Sequence, residues 1–204
     1  MHWLHHISFL LALLMGQLCL AQPDITPLSV DTSAFERVFP PSEGYRRFIQ
    51  QDKYGFINPK GQVLVRAVYD KASDFQQGRA AVRKDGKHGF IDSNGLPVVD
   101  LRYDRVWSFY ESVAMVKESN QFGFISLTGD TIIPLEYDHA QSASEGMILL
   151  SKSGKSGFAN LKGDLVIPLS FDEAWPFFNG KAWVRLAGRN FYVDKSGACV
   201  DDCD

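Results

Sequence analysis

The sequence predicts an all-β fold: five tandem 34-residue units of three strands each, stacked as a twisted array. Three observations carry this. Glycines recur at a fixed period: Gly55, Gly89, Gly123 and Gly157 stand 34 residues apart, and Gly61, Gly95, Gly129, Gly163 and Gly197 keep the same spacing without a gap. Other residue types hold the period as well. An aromatic column runs Phe35, Tyr69, Tyr103, Tyr137, Phe171, and an acidic column follows it at Glu36, Asp70, Asp104, Asp138, Asp172. Finally, each unit carries two to four glycines and polar turn pairs. These leave no run long enough for two helices, which excludes helical tetratricopeptide units of the same period. The runs that remain are rich in Val, Ile, Phe and Tyr, which favour strands.

Starting each unit at its aromatic gives 35–68, 69–102, 103–136, 137–170 and 171–204, so five units fill the chain to its last residue. Unit 2 shows the elements in order. "RAAVRK" (79–84) reads as the first strand, and Asp85-Gly86 as a two-residue turn whose twist matches a hairpin. "KHGFID" (87–92) returns as the second strand. "DSNG" (92–95) turns again, Asp92 being able to bond the turn's own backbone and Gly95 supplying positive φ. "LPVVD" is a third strand, and "LRYDRVWSFYES" links to the next unit. Phe90 and Ile91 are adjacent and so point to opposite faces, yet both are apolar in nearly every unit. Such a strand is covered on both sides, so each unit needs neighbours to bury its second face. The glycine before the Phe lets another backbone or ring approach closely. A five-bladed propeller, with the connection as a fourth short strand, is the alternative architecture.

Residues 1–21 hold no Asp, Glu, Lys or Arg, and Ile7 to Ala21 is an apolar run of 15. That is short of the ~20 residues a spanning helix needs. It fits a secretory signal cut after Ala21, with Cys19 at the −3 position. The expectation is an exported protein (periplasmic, cell-surface or secreted) with no membrane span after cleavage. Lipid anchoring through Cys19 is the alternative, disfavoured by the bulky Leu18 before it. Residues 22–34 read as an irregular leader. Cys199 and Cys203 would remain, in "CVDDC". Fully extended, their Cα atoms would sit ~13 Å apart, whereas a bridge needs less than ~7 Å. A disulfide therefore requires a turn at Asp201-Asp202, and two free thiols are the other possibility.

The repeat pattern Gly-Phe-Ile-Asp, three residues, Gly, two aliphatics, Pro, two residues, Tyr-Asp, then Ala resembles the WG-repeat family of bacterial proteins. "GFISLTGDTIIPLEYDHA" (123–140) and "GFANLKGDLVIPLSFDEA" (157–174) match best, and the resemblance covers 35–204. The namesake Trp before Gly is replaced by Tyr54, His88, Phe122, Ser156 and Asn190. The resemblance implies a β-rich repeat domain, often exported, without a defined enzymatic activity.

Composition and motifs narrow the function classes. The formal net charge is −3, and Lys and Arg are scattered singly among acids. No basic stripe suits nucleic acid. The acidic column Asp70, Asp104, Asp138, Asp172 could form a Ca²⁺ ladder. Ca²⁺ wants six to eight oxygens converging on one point, and one carboxylate per unit does not supply them. The favoured reading is that each Asp bonds backbone N–H groups in its inter-unit connection. His88 and His139 stand in different columns without a repeating partner. No phosphate loop and no Ser/His/Asp arrangement is present, so no catalytic residue, metal site or cofactor is expected. The candidate ligand-binding residues are Phe39, Trp107 and Trp175, in the column Phe39, Ser73, Trp107, Gln141, Trp175. This column alternates aromatic and polar, which a uniform core column has no reason to do. Exposed, such rings would form a stacking platform for a protein or glycan partner. Packed, they would lie against neighbours such as Phe109 and Phe177. The expected function is a non-catalytic exported scaffold, with a purely structural envelope component as the alternative.

Overall fold

The computed structural model describes residues 31–203. The segment read as a signal, Cys19 and residues 22–30 lie outside the described residues. The remainder forms five antiparallel four-stranded sheets in tandem. In unit 2 a leading strand (Lys71–Ala72) precedes the three expected ones at Arg79–Lys84, Lys87–Asp92 and Pro97–Tyr103. The four lie side by side in chain order. The leading strand comes from the connection; at two residues it is too short for alternation to reveal it. The third strand also runs past the expected residue 100. Phe90 pairs with Val99 while His88 pairs with Tyr103, so extra residues bulge opposite Gly89 and pairing resumes beyond them. Each aromatic of the Tyr69/Tyr103/Tyr137/Phe171 column thus closes one sheet as it opens the next unit.

Two glycine positions show why the columns exist. Gly89 has ordinary φ, but a Cβ there would lie 2.3 Å from Val99 O, on the bulged strand. Gly163 has φ +90°, and a Cβ there would lie 2.3 Å from Ile132 O in the preceding unit. The first column thus serves the bulge within a sheet and the second the contact between sheets. Phe191 fills the fifth slot of the first column. Its strand pairs with a third strand of only three residues, Cys199–Asp201, that begins opposite Val193. Among the described residues that pairing stops at Tyr192 and Asp201, short of Phe191.

The core lies between units. Phe56 of unit 1 packs with Phe75, Ala80, Val82 and Ile91 of unit 2. Phe90 and Val99 of unit 2 pack with Tyr103, Phe109, Ala114, Val116 and Ile125 of unit 3. The next two boundaries repeat the arrangement. Burying one such Phe against the next unit is worth about 1.5–3 kcal/mol, so each sheet is stabilised mainly by its neighbours. The four core clusters among the described residues each join successive units, and none joins unit 5 to unit 1. The array is an open stack; the closed propeller would need a fifth such core.

The ends are capped. Phe35 stacks on Phe48 with ring centroids 4.1 Å apart, covering the outer face of unit 1. On unit 5, Asp201 replaces the Ile133/Ile167 position. It accepts a hydrogen bond from Lys181 at 2.5 Å, and the Lys181 ammonium lies 4.3 Å from the Tyr192 ring centroid. Cys199 and Cys203 are bridged, with Cα atoms 5.8 Å apart, across a turn in which Asp202 takes φ 56°.

Candidate functional site

A groove beside the leading strand differs from unit to unit and is built by two columns. Residues 39, 73, 107, 141 and 175 follow the leading strand, and each is pinned by its backbone N–H to a carbonyl on the first strand. Ser73 N donates to Ala81 O at 2.9 Å and Trp107 N to Met115 O at 3.0 Å. Their side chains thereby sit near the slot before the glycine, held by Tyr54, His88, Phe122, Ser156 and Asn190.

The two columns vary together, which explains the alternation. In unit 1, Phe39 stacks on Tyr54 with centroids 6.1 Å apart. In unit 3, Trp107 meets Phe122 at 5.9 Å. Cations cover these rings: Arg37 and Arg47 lie 4.6 and 4.4 Å from the Phe39 centroid. Arg105 lies 4.8 Å from that of Trp107, and Lys117 5.0 Å from that of Phe122. In units 2 and 4 both columns are ringless or nearly so, Ser73 with His88 and Gln141 with Ser156, and a groove opens in each. The first, of 200 Å³, is lined by Lys71, Ser73, Arg83 and His88, with Val106 and Ser108 of unit 3. The second, of 260 Å³, is lined by Gln141, Ser151 and Ser156, with Asp172 and Trp175 of unit 5.

The three aromatic candidates therefore part ways. Phe39 and Trp107 are half-buried in ring pairs of their own units, whereas Trp175 is 62% exposed at the rim of the second groove. They stand two units apart and form no common platform. Sequence reasoning missed Phe178, 73% exposed in a tight turn three residues beyond Trp175. Its signal was available: the same turn position holds Ser42, Gln76, Tyr110 and Ser144 elsewhere, polar in three units of four. Phe109 and Phe177 are buried between sheets.

Three members of the acidic column, Asp70, Asp104 and Asp172, tie neighbouring units together. Asp70 accepts Lys53 at 2.5 Å and the Asp85 N–H at 2.9 Å. Asp104 accepts Lys87 at 2.7 Å and the Ser119 N–H at 2.8 Å. Asp172 accepts Lys155 at 2.7 Å and the Ala187 N–H at 2.8 Å, and Asp138 accepts the Ser153 N–H at 2.7 Å. Hydrogen bonding from the lysines holds the Asp70, Asp104 and Asp172 carboxyls below their usual range. The N–H donors lie in each unit's own hairpin turn rather than in the connection. Among the described residues no group of three or more His, Cys, Asp or Glu is placed to hold a metal ion. No described helix is long and apolar enough to cross a membrane. His88 is held neutral to lower pH than usual, first by burial, then by Arg83, Lys71 and Arg105.

These features define a tandem all-β repeat protein whose sheets are joined by shared cores and whose unit boundaries carry shallow grooves. The family model described as WG containing repeat matches residues 54–87, 89–121, 122–155 and 157–189, and the chain belongs to that family. No curated protein matches it. Among solved structures it is similar to Kluyveromyces lactis Hsv2p, at 13% identity and TM-score 0.46 over 79% of this chain and 62% of that one. It is also similar to a eukaryotic initiation factor, at 12% identity and TM-score 0.47 over 79% and 52%. A third is PorZ, a surface component of the type-IX secretion system of Porphyromonas gingivalis, at 10% identity and TM-score 0.39 over 82% and 28%. The chain spans less than two thirds of each of these.

Proposed function

We propose that the chain is an exported, non-catalytic repeat scaffold that captures a protein or glycan partner, with the groove between units 4 and 5 as a contact site. The observation that carries this is the exposure of Trp175 at the rim of that groove. A large ring standing in water beside Gln141, Ser151 and Asp172 offers a stacking face next to hydrogen-bonding groups, the composition of a recognition site. Phe178 adds a second exposed ring on the same unit. Isolated exposed apolar residues need no explanation; what distinguishes Trp175 is its place at the rim of a groove. Export is supported by the apolar run before Gln22 and by the Cys199–Cys203 bridge, since disulfides persist in oxidising compartments.

The test is retention of the purified chain on glycan arrays and on envelope extract, compared with Trp175→Ala and Trp107→Ala. Trp175→Ala should abolish retention at unchanged melting temperature, while Trp107→Ala should lower the melting temperature. No retention by the parent chain would favour a purely structural component, and hydrolytic turnover of a retained glycan would overturn the non-catalytic reading.

A further inference from the structure

The groove between units 2 and 3 differs from its neighbours in charge. Lys71 and Arg83 are directly opposite in the sheet, as are Arg83 and His88. The three form a row on one face, in which like charges side by side are unfavourable. Unit 3 has the same arrangement of cations, Arg105 opposite Lys117 and Lys117 opposite Phe122. There each cation lies over a ring, Arg105 over Trp107 and Lys117 over Phe122. In unit 2 those two rings are replaced by Ser73 and His88 while both cations are kept.

The cations at this groove also lack ion-pair partners. Among the described residues Lys71, Arg83 and Arg105 form no ion pair, while three acids near them in sequence pair elsewhere: Asp70 with Lys53, Asp74 with Arg47 and Asp104 with Lys87. Arg83 Nε is buried and finds no acceptor. Arg105 reaches across from unit 3 closely enough to act on His88 electrostatically. The result is a 200 Å³ opening with net positive walls where a sister unit holds two rings.

We propose that the Ser73–His88 groove is a carboxylate-binding subsite for an acidic segment of a protein partner, with Lys71 and Arg83 as its charge partners. A carboxylate lying beside this row relieves the repulsion between the two cations and supplies acceptors the guanidinium lacks. A peptide rather than an acidic glycan is the occupant, because no Phe, Tyr or Trp lines this groove to stack on a sugar. Three cations are too few for a nucleic-acid track. The inference rests on the scaffold reading but uses a groove separate from that of Trp175.

The test is fluorescence anisotropy with labelled hexaglutamate, labelled hexaglutamine and labelled hexagalacturonate at low salt. Hexaglutamate should bind, with an affinity that falls as salt rises, and hexaglutamine should not. Lys71→Gln/Arg83→Gln should weaken binding by about tenfold or more. Lys60→Gln/Lys162→Gln, the same loss of charge elsewhere, should change it by less than about twofold. Ser73→Trp/His88→Phe, which restores the ring pair of unit 3 and keeps both cations, should also abolish binding, so the result does not hinge on one variant folding. Absent hexaglutamate binding, an equal loss in the Lys60/Lys162 variant, or tighter binding of hexagalacturonate each overturns the proposal. Trp175→Ala should leave hexaglutamate binding intact. A loss confined to that variant would place the peptide in the other groove, overturning this proposal and leaving the first standing.

Discussion

Lys87 Nζ lies 2.7 Å from Asp104 Oδ1, across the boundary between units 2 and 3. The other oxygen of the same carboxylate accepts the Ser119 N–H. One carboxylate therefore ties the second strand of one unit to the hairpin turn of the next. Lys53–Asp70 and Lys155–Asp172 repeat the tie at the first and fourth boundaries. At the third, Gln121 stands in the lysine's place.

These ties predict an acid-sensitive stack. Asp70, Asp104 and Asp172 have folded-state pKa values below the unfolded value. Their contribution is present above about pH 4 and is lost as pH falls through the folded values. Calorimetry should show the melting temperature of the parent dropping more steeply below pH ~4 than that of an Asp70→Asn/Asp104→Asn/Asp172→Asn variant. Equal slopes would refute the assignment.

His88 predicts a second, milder dependence at higher pH. Its folded pKa lies below the unfolded value of ~6.5. The unfolded chain therefore binds the proton first, and stability declines as pH falls through the region just below ~6.5. His88→Phe should flatten the melting-temperature profile between pH 7 and 5; an unchanged profile counts against the burial and cation effects invoked here.

The glycine columns predict graded costs. Gly61 has φ +77°, and among the described residues no atom lies within 4 Å of a Cβ built there. Gly61→Ala should therefore cost only the left-handed penalty of about 1–2 kcal/mol. Gly163→Ala adds a clash with Ile132 O in the preceding unit, and Gly89→Ala drives a methyl into the bulged strand. Both should exceed about 4 kcal/mol in urea unfolding. Similar losses at all three positions would sink the distinction between turn and contact.

A second ladder crosses the unit boundaries on the tight turns. Glu43 accepts the Gln77 N–H at 2.7 Å, Gln77 accepts that of Ser112 at 3.0 Å, Glu111 that of Gly146 at 2.9 Å and Glu145 that of Gly180 at 2.9 Å. Glu111→Ala should lower stability by about 0.5–1.5 kcal/mol, the usual worth of one such bond. Hydrogen exchange should then speed up at Gly146 before it does at Gly180. Uniform acceleration across the chain would argue against a local tie.

The Cys199–Cys203 bridge closes a loop of few residues, so the entropy it removes from the unfolded chain is small, about 2 kcal/mol by loop-closure scaling. Reduction should expose the last strand to carboxypeptidase while leaving the earlier units folded. Global unfolding on reduction would show that the bridge does more than fasten the end of unit 5.

How much of this was legible beforehand depended on range. The Asp85-Gly86 turn fixes its hairpin register locally, so the pairing of Arg83 with His88 follows from the turn alone. The leading strand Lys71–Ala72 was foreseen only as the fourth short strand of the alternative architecture and is too short to be placed from the sequence, so the position of Lys71 in the row stayed hidden. The alternation of Phe39, Ser73, Trp107, Gln141 and Trp175 was visible, but its cause was not, because the partner column at Tyr54, His88, Phe122, Ser156 and Asn190 joins it only across the sheet.

By itself the sequence determined the period, the turns, the strand class and the need for neighbours, since each follows from a residue's own backbone preference or from apolar faces repeated every 34 positions. The tertiary structure alone decided that the stack stays open, that Asp70, Asp104 and Asp172 each tie two units together, and that Trp175 rather than Trp107 meets solvent. Those outcomes depend on what stands across the gap between two sheets, and side-chain exposure there is set by contacts between residues far apart in the chain.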